Sequence, residues 1–197
     1  MGEQLNVTFD PQKFSLMLAT DTCSVWNVLS SRKLLNAANS AKITFCMTSM
    51  VLYECLQKPR KKLNDKKHEL MQRLIKAREK NQFPQHDCKL EALLYINQIA
   101  PKKLNSGELS SIALAYDLRT LAFMTDEKAA RKFAENKVQL KVETTPKLYG
   151  WLHYSNKLSD SDHSHIINEH ESFEDRPLTE FLNKAYETAC AYKCKVT

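Results

Sequence analysis

The chain has 197 residues, with 29 basic against 23 acidic side chains, a formal net charge of +6, a hydrophobic fraction of 43% and only three glycines. That length sets one ordinary domain as the default, and that composition excludes a disordered or collagen-like chain. The apolar runs all fall short of the ~18 residues that span a bilayer. Met1-Gly2-Glu3-Gln4 lacks the basic and apolar regions of a secretory signal, and Asn6 stands where a myristoylation motif needs Ser or Thr. A soluble, cytoplasmic protein with no membrane partner is therefore expected, and the positive charge suits a polyanionic partner.

In chain order, residues 1–13 carry no period and read as an edge segment. Phe14 to Thr22 is a short apolar run that stops on Asp21, the pattern of a buried parallel strand. Val25, Val28, Leu29 and Leu35 then follow at helical spacing within a helix over 24–39, with Ser24 as its N-cap. Ile43 to Met47 is a β-type run, and Thr48-Ser49 opens a helix through Glu54. Lys58-Pro59 breaks that helix, a charged helix spans 63–80, and another covers 89–99.

Asn105-Ser106-Gly107-Glu108 starts a helix whose Leu109, Ile112, Ala113 and Tyr116 form a buried stripe. Leu121 to Met124 is a second apolar strand, followed by Thr125-Asp126-Glu127 and a basic helix over 128–136. Residues 138–142 alternate as a last, edge strand. Thr145-Pro146 starts a further helix, and Leu178, Phe181, Leu182, Ala185, Ala189 and Tyr192 give another its apolar face. This order predicts an α/β three-layer sandwich with a mainly parallel central sheet over residues 1–144, plus a C-terminal helical extension over 145–197.

Strand ends are where open α/β sheets bind ligands. Asp21 and the pair Asp126-Glu127 stand at two such ends, and Glu54 and Glu108 stand near the starts of two helices. Parallel, adjacent strands would bring them together. Two unit charges ~4 Å apart at an effective dielectric of ~20 repel by roughly 4 kcal/mol, so such a cluster is tolerable when it holds a cation or protons. An oxygen-only donor set favours Mg2+ or Mn2+ over zinc, and such ions promote phosphodiester hydrolysis. Each residue also has an ordinary structural use: Asp21 and Asp126 as helix N-caps, Glu108 in a capping box with Asn105, Glu54 on a surface helix.

The six cysteines (Cys23, Cys46, Cys55, Cys88, Cys190 and Cys194) form no CxxC pair and read as reduced thiols. His163, His165 and His170 read as part of a polar surface helix rather than a metal site, and Trp151 reads as core or interface. Lys58 to Lys80 holds ten Lys or Arg against three acids. That excess fits a phosphate backbone or a solvated helix face equally well.

The sequence resembles PIN-domain ribonucleases, of the Gly-Glu, toxin-like variant. Ala19-Thr20-Asp21-Thr22 looks like the family's opening strand. Thr48-Ser49-Met50-Val51-Leu52-Tyr53-Glu54 is similar to its second motif. Ser106-Gly107-Glu108-Leu109-Ser110-Ser111-Ile112-Ala113-Leu114-Ala115 resembles the third, and Phe123-Met124-Thr125-Asp126-Glu127-Lys128-Ala129-Ala130-Arg131 the fourth. The match covers roughly Ser15 to Val142, and Glu127 departs from it, standing where many relatives carry a second Asp.

The resemblance implies an endoribonuclease that uses Mg2+ or Mn2+ held by Asp21, Glu54, Glu108 and Asp126, with Glu127 as an assistant, and leaves 5′-phosphate and 3′-hydroxyl ends. Thr22, Ser49 and Thr125 are expected to hydrogen-bond those carboxylates. Arg131, Lys132, Arg60, Lys61 and Lys62 are expected to meet substrate phosphates. A toxin of this kind has an inhibitory antitoxin and a homodimer as its expected partners. Two other functions compete: an inactive PIN-like RNA- or protein-binding module, and a DNA-cleaving defence nuclease.

Overall fold

The computed structural model describes residues 9–59, 64–174 and 177–196. Four short strands make one parallel sheet: β1 (Met17–Thr20), β2 (Thr44–Cys46), β3 (Ala122–Met124) and β4 (Val142–Glu143), in the order β2-β1-β3-β4. Leu18 registers with Phe45 on one side and Ala122 on the other, and Phe123 registers with Val142. The chain is thus α/β, with ten helices flanking the sheet among the described residues.

Alternation along the strands divides the core into two layers. Leu18, Phe45, Ala122 and Met124 face one cluster; Ala19, Cys46, Phe123 and Val142 face the other. The first cluster is completed by α1 (Thr22–Leu29), α2 (Arg32–Ser40), α3 (Ser49–Leu56) and α4 (Asp65–Glu79). It also takes in α8 (Thr145–Tyr154), α9 (Asp160–Phe173) and α10 (Thr179–Val196). The second is completed by α5 (Leu90–Ile99), α6 (Ser106–Asp117) and α7 (Lys128–Asn136). Each fully buried Leu or Phe, such as Leu18 or Phe123, contributes about 1.5–3 kcal/mol. The C-terminal helices share this core with the sheet: Leu148, Tyr149, Leu152, Ile166 and Leu182 lie in the same cluster as Leu18 and Phe45.

Three local expectations are corrected. The helix expected over 24–39 is two helices, and its N-cap is Asp21 rather than Ser24, whose amide donates to Asp21 Oδ1. The break falls at Ser30-Ser31, where both hydroxyls compete with the helical backbone: Ser30 Oγ donates to Asn27 O, and Ser31 Oγ accepts from Leu34 N. The strand expected over 138–142 pairs only at Val142 and Glu143, after the chain turns through Gln139 at φ 57°.

The histidine-bearing segment is not a surface helix throughout. α9 buries Ile166, Ile167 and His170, while His165 stays exposed. Trp151 stacks on Phe14 with ring centroids 5.7 Å apart. All six cysteines are free thiols. Among the described residues, no helix is long and apolar enough to cross a membrane.

Candidate acidic site

β1 and β3 run side by side, so Asp21 and Thr125-Asp126 emerge at the same sheet edge. The backbone joins there too, Asp21 N donating to Met124 O at 3.2 Å. Asp21 is 1% exposed. Its Oδ1 accepts from Ser24 N at 2.8 Å, as the N-cap of α1, and its Oδ2 accepts from Thr125 Oγ1 at 2.6 Å. Burial pushes its pKa up to about 7 against those hydrogen bonds, with the nearby Asp126 adding to the rise.

Glu54 and Glu108 arrive from the two helices that meet beside β1. Glu54 lies in the last turns of α3 rather than near its start, as the sixth of eight residues. Its Oε2 accepts from Thr22 Oγ1 at 2.5 Å, and its Oε1 accepts from Gly107 N at 3.2 Å. Gly107 permits that approach: a Cβ there would lie 2.5 Å from Glu54 Oε2 and 3.2 Å from Thr22 Oγ1.

Glu108 forms the capping box of α6, its Oε2 accepting from Asn105 N at 2.9 Å. Burial raises its pKa, opposed by that bond and reinforced by Glu127 and Glu54. The structural use read for Glu108 from its spacing is therefore present, and it sets one carboxylate oxygen while leaving the other available.

Asp126 does not cap α7; Glu127 holds the N-cap position, without a side-chain bond. Asp126 instead ties three elements. Its Oδ1 accepts from Thr145 N at 2.8 Å, and its Oδ2 accepts from Thr145 Oγ1 at 2.6 Å and Asn27 Nδ2 at 2.7 Å. Burial raises its pKa; the Thr145 and Asn27 bonds and the Arg131 charge oppose the rise. Glu127 is exposed and near enough to Glu108 to act on it electrostatically, while Asp126 acts on Asp21.

Cys23 sits among these groups. Burial first, then the charges of Asp126 and Asp21, push its thiol pKa up.

The sheet edge thus brings together Asp21, Thr125 and Asp126, and α3 and α6 bring Glu54 to Thr22 and Glu108 within electrostatic reach of Glu54. Ser49 does not join them. Its amide donates to Asp87 Oδ1 at 2.7 Å and its hydroxyl to Asp87 Oδ2, so the expectation that it bonds the acidic group is corrected. Thr48, one residue earlier, is the residue that caps α3.

Arg131 is half-buried and Lys132 exposed on α7. Arg60, Lys61 and Lys62 lie outside the described residues. Part of the basic stretch has structural work: Arg73 Nη1 donates to Leu29 O and Ser30 O, and Arg78 Nη1 donates to Phe83 O.

Asn27 and Thr145 were not singled out from the sequence as site residues. Thr145 carries the one available signal, a Thr-Pro helix start on the heels of an edge strand.

The donor chemistry fits Mg2+ or Mn2+, since the acidic set offers carboxylate oxygens without imidazole or thiolate. Among the described residues, no three His, Cys, Asp or Glu side chains are gathered closely enough to hold a metal ion. Part of the reason lies in the hydrogen bonds above: Asp126 has both oxygens engaged, and Glu54 is drawn to Thr22 and Gly107. No family model matches the chain, and no curated protein matches it either.

Proposed function

We propose that this protein is a divalent-metal-dependent endoribonuclease of the PIN type, using Mg2+ or Mn2+ with Asp21, Glu54, Glu108 and Asp126 and with Glu127 assisting. The observation that carries this reading is Asp21. It is sealed from water, its pKa is pushed up to about 7, and among the described residues no Lys or Arg is paired with it. A buried carboxylate in that state takes either a proton or a cation. Asp126 is near enough to add to that rise, and Glu108 feels Glu54 and Glu127 in the same way, so acids from separate elements act on one another in pairs.

Asp21, Glu54, Glu108 and Asp126 would hold the ion, which would supply a nucleophilic water near neutral pH and offset charge on a phosphodiester. The protein's own groups do the orienting. Thr125 and Ser24 aim the two Asp21 oxygens, Thr22 aims Glu54, and Asn105 aims Glu108. Arg131 and Lys132, on the helix that follows Asp126, would meet substrate phosphates. The same reading places the protein in the cytoplasm, with an inhibitory antitoxin and a second copy of itself as the partners to seek.

The test is cleavage of matched single-stranded RNA and DNA by purified protein with Mg2+ or Mn2+. Wild type cuts RNA, and Asp21→Asn loses at least about a hundredfold while melting no lower, as expected when a central ligand is removed. A folded wild type that cuts no RNA with either ion overturns the proposal; cutting DNA alone would make it a DNA-cleaving defence nuclease.

One observation favours a second reading. Both oxygens of Asp126 are engaged by Thr145 and Asn27, as those of a purely structural acid would be. On that reading the protein is an inactive binding module, and Mn2+ calorimetry would give no heat that depends on Asp21.

A further inference from the structure

Helix α1 carries both ends of a link between the acidic edge and the C-terminal helices. Its N-cap is Asp21. Nearer its other end, Asn27 Nδ2 donates to Asp126 Oδ2 at 2.7 Å. The carbonyl of Asn27 is one of the last-turn acceptors that a helix leaves unpaired, and Ser30 Oγ donates to it at 2.7 Å. Ser30 Oγ in turn stands 2.6 Å from His170 Nδ1 on α9.

The direction of that last bond follows from the other side of the ring. Leu178 N donates to His170 Nε2 at 2.9 Å, so Nε2 carries no proton. A neutral imidazole then bears its proton on Nδ1, and Nδ1–H donates to Ser30 Oγ. Ser30 is left with one hydroxyl proton and one acceptor for it, the Asn27 carbonyl. His170 is 1% exposed, and burial holds its pKa down at about 4, which keeps this single tautomer at neutral pH.

The end of α1 is closed from a second direction. Arg73 Nη1 donates to Leu29 O at 3.0 Å and pairs with Glu169 of α9 at the same distance. The last turn of α1 is therefore keyed to α9 by two independent groups, and Asn27 stands in that turn.

We propose that His170 is a positioning residue for Asp126, acting through Ser30 and Asn27, so that docking of the C-terminal helices sets the geometry of the acidic edge. The catalytic consequence rests on the function proposed above; the positional link does not. Without the Nδ1–H donor, the Ser30 hydroxyl is held from one side only, its bond to Asn27 O is less constrained, and the Asn27 amide is freer to shift against Asp126. A misplacement of about 1 Å is enough to cost an active site a hundredfold.

Two conservative substitutions separate positioning from mere packing. His170→Asn places an amide where Nδ1 lies and keeps a donor to Ser30. His170→Gln places one where Nε2 lies, keeps an acceptor for Leu178 N, and drops the donor to Ser30. Ser30→Ala removes the link at its middle and serves should His170→Gln fail to fold.

The readouts on the full-length protein are the Asn27 side-chain amide signals by NMR, hydrogen exchange at the Thr145 amide, and Mn2+ affinity by calorimetry. We expect His170→Gln and Ser30→Ala to move the Asn27 signals, speed exchange at Thr145, and weaken Mn2+ binding by about two- to thirtyfold. His170→Asn should keep all three near wild type even where its melting temperature falls. The inference is overturned if the changes in all variants simply follow melting temperature, or if Asn27 and Thr145 are unmoved in His170→Gln and Ser30→Ala. Should wild type itself take up no Mn2+, the proposed function fails, and the two amide readouts still decide this link.

Discussion

Asp21 and Glu143 are both carboxylates sealed from water, 1% and 2% exposed, and the fold treats them in opposite ways. Glu143, at the end of β4, has Lys141 Nζ at 3.2 Å and Lys147 Nζ at 4.0 Å, and it accepts from both the amide and the hydroxyl of Ser15. Asp21 has a hydroxyl and an amide but no paired cation among the described residues, and its pKa rises to about 7. Burial alone therefore does not mark a functional acid. Glu143 is matched by counter-charges, while Asp21 has another acid, Asp126, nearby and keeps the cost of desolvation.

The sharpest break in that comparison is a pH-resolved Asp21→Asn. The unfolded chain ionises this carboxyl near 3.8 and the folded protein near 7. The folded state thus binds the extra proton across that window, and wild-type stability falls as pH rises through it. Asp21→Asn should raise stability at pH 8 by on the order of 2–4 kcal/mol and change it little at pH 4, as read by urea unfolding. An equal effect at both pH values would show that desolvated charge is not what distinguishes Asp21.

Glu143→Gln should move the other way. It keeps an acceptor for Ser15 but removes the counter-charge of two lysines, of which Lys147 still donates to Val142 O. The expected loss is about 1–2 kcal/mol, since Lys141 is largely hydrated already. A stabilised Glu143→Gln protein in thermal melts would remove the contrast.

The smallest expected change in stability is at Gly107→Ala. Alanine favours the helix by up to about 1 kcal/mol, and the clash at 2.5 Å is with the mobile end of Glu54 rather than with backbone. The fold should hold within about 1 kcal/mol while Glu54 is pushed from its place, and on the proposed function RNA cleavage should fall. Retained cleavage would show that the Glu54 position is irrelevant to the chemistry.

Much of this architecture was legible along the chain. The apolar run into Asp21, the capping signals at Thr48 and Asn105, and the buried stripe of α6 all follow from short-range rules of periodicity and capping. The break at Ser30-Ser31 was not, because the apolar spacing from Val25 to Leu35 runs through it and the hydroxyl bonds that end α1 depend on where the chain goes next. The acids were visible as residues, and the nearness of Asp126 to Asp21 followed once parallel strands were assumed. Their engagement was not visible: the family resemblance implied Ser49 as a partner, yet its hydroxyl turns to Asp87, 38 residues away.

What the sequence determined by itself is the set of elements and the kind of chemistry available at their ends. Periodicity and caps act between near neighbours, and a carboxylate is a hard, oxygen-donating anion wherever it sits. Only the tertiary structure decided which acid is paired with cations, which is tied to neighbouring elements and which is left to carry the cost of burial. Asp126 depends on Thr145 and Asn27, Ser30 on His170, and Glu143 on Ser15. Hydrogen bonds and desolvation are settled by atoms within a few ångströms, and those atoms come from segments that only folding makes neighbours.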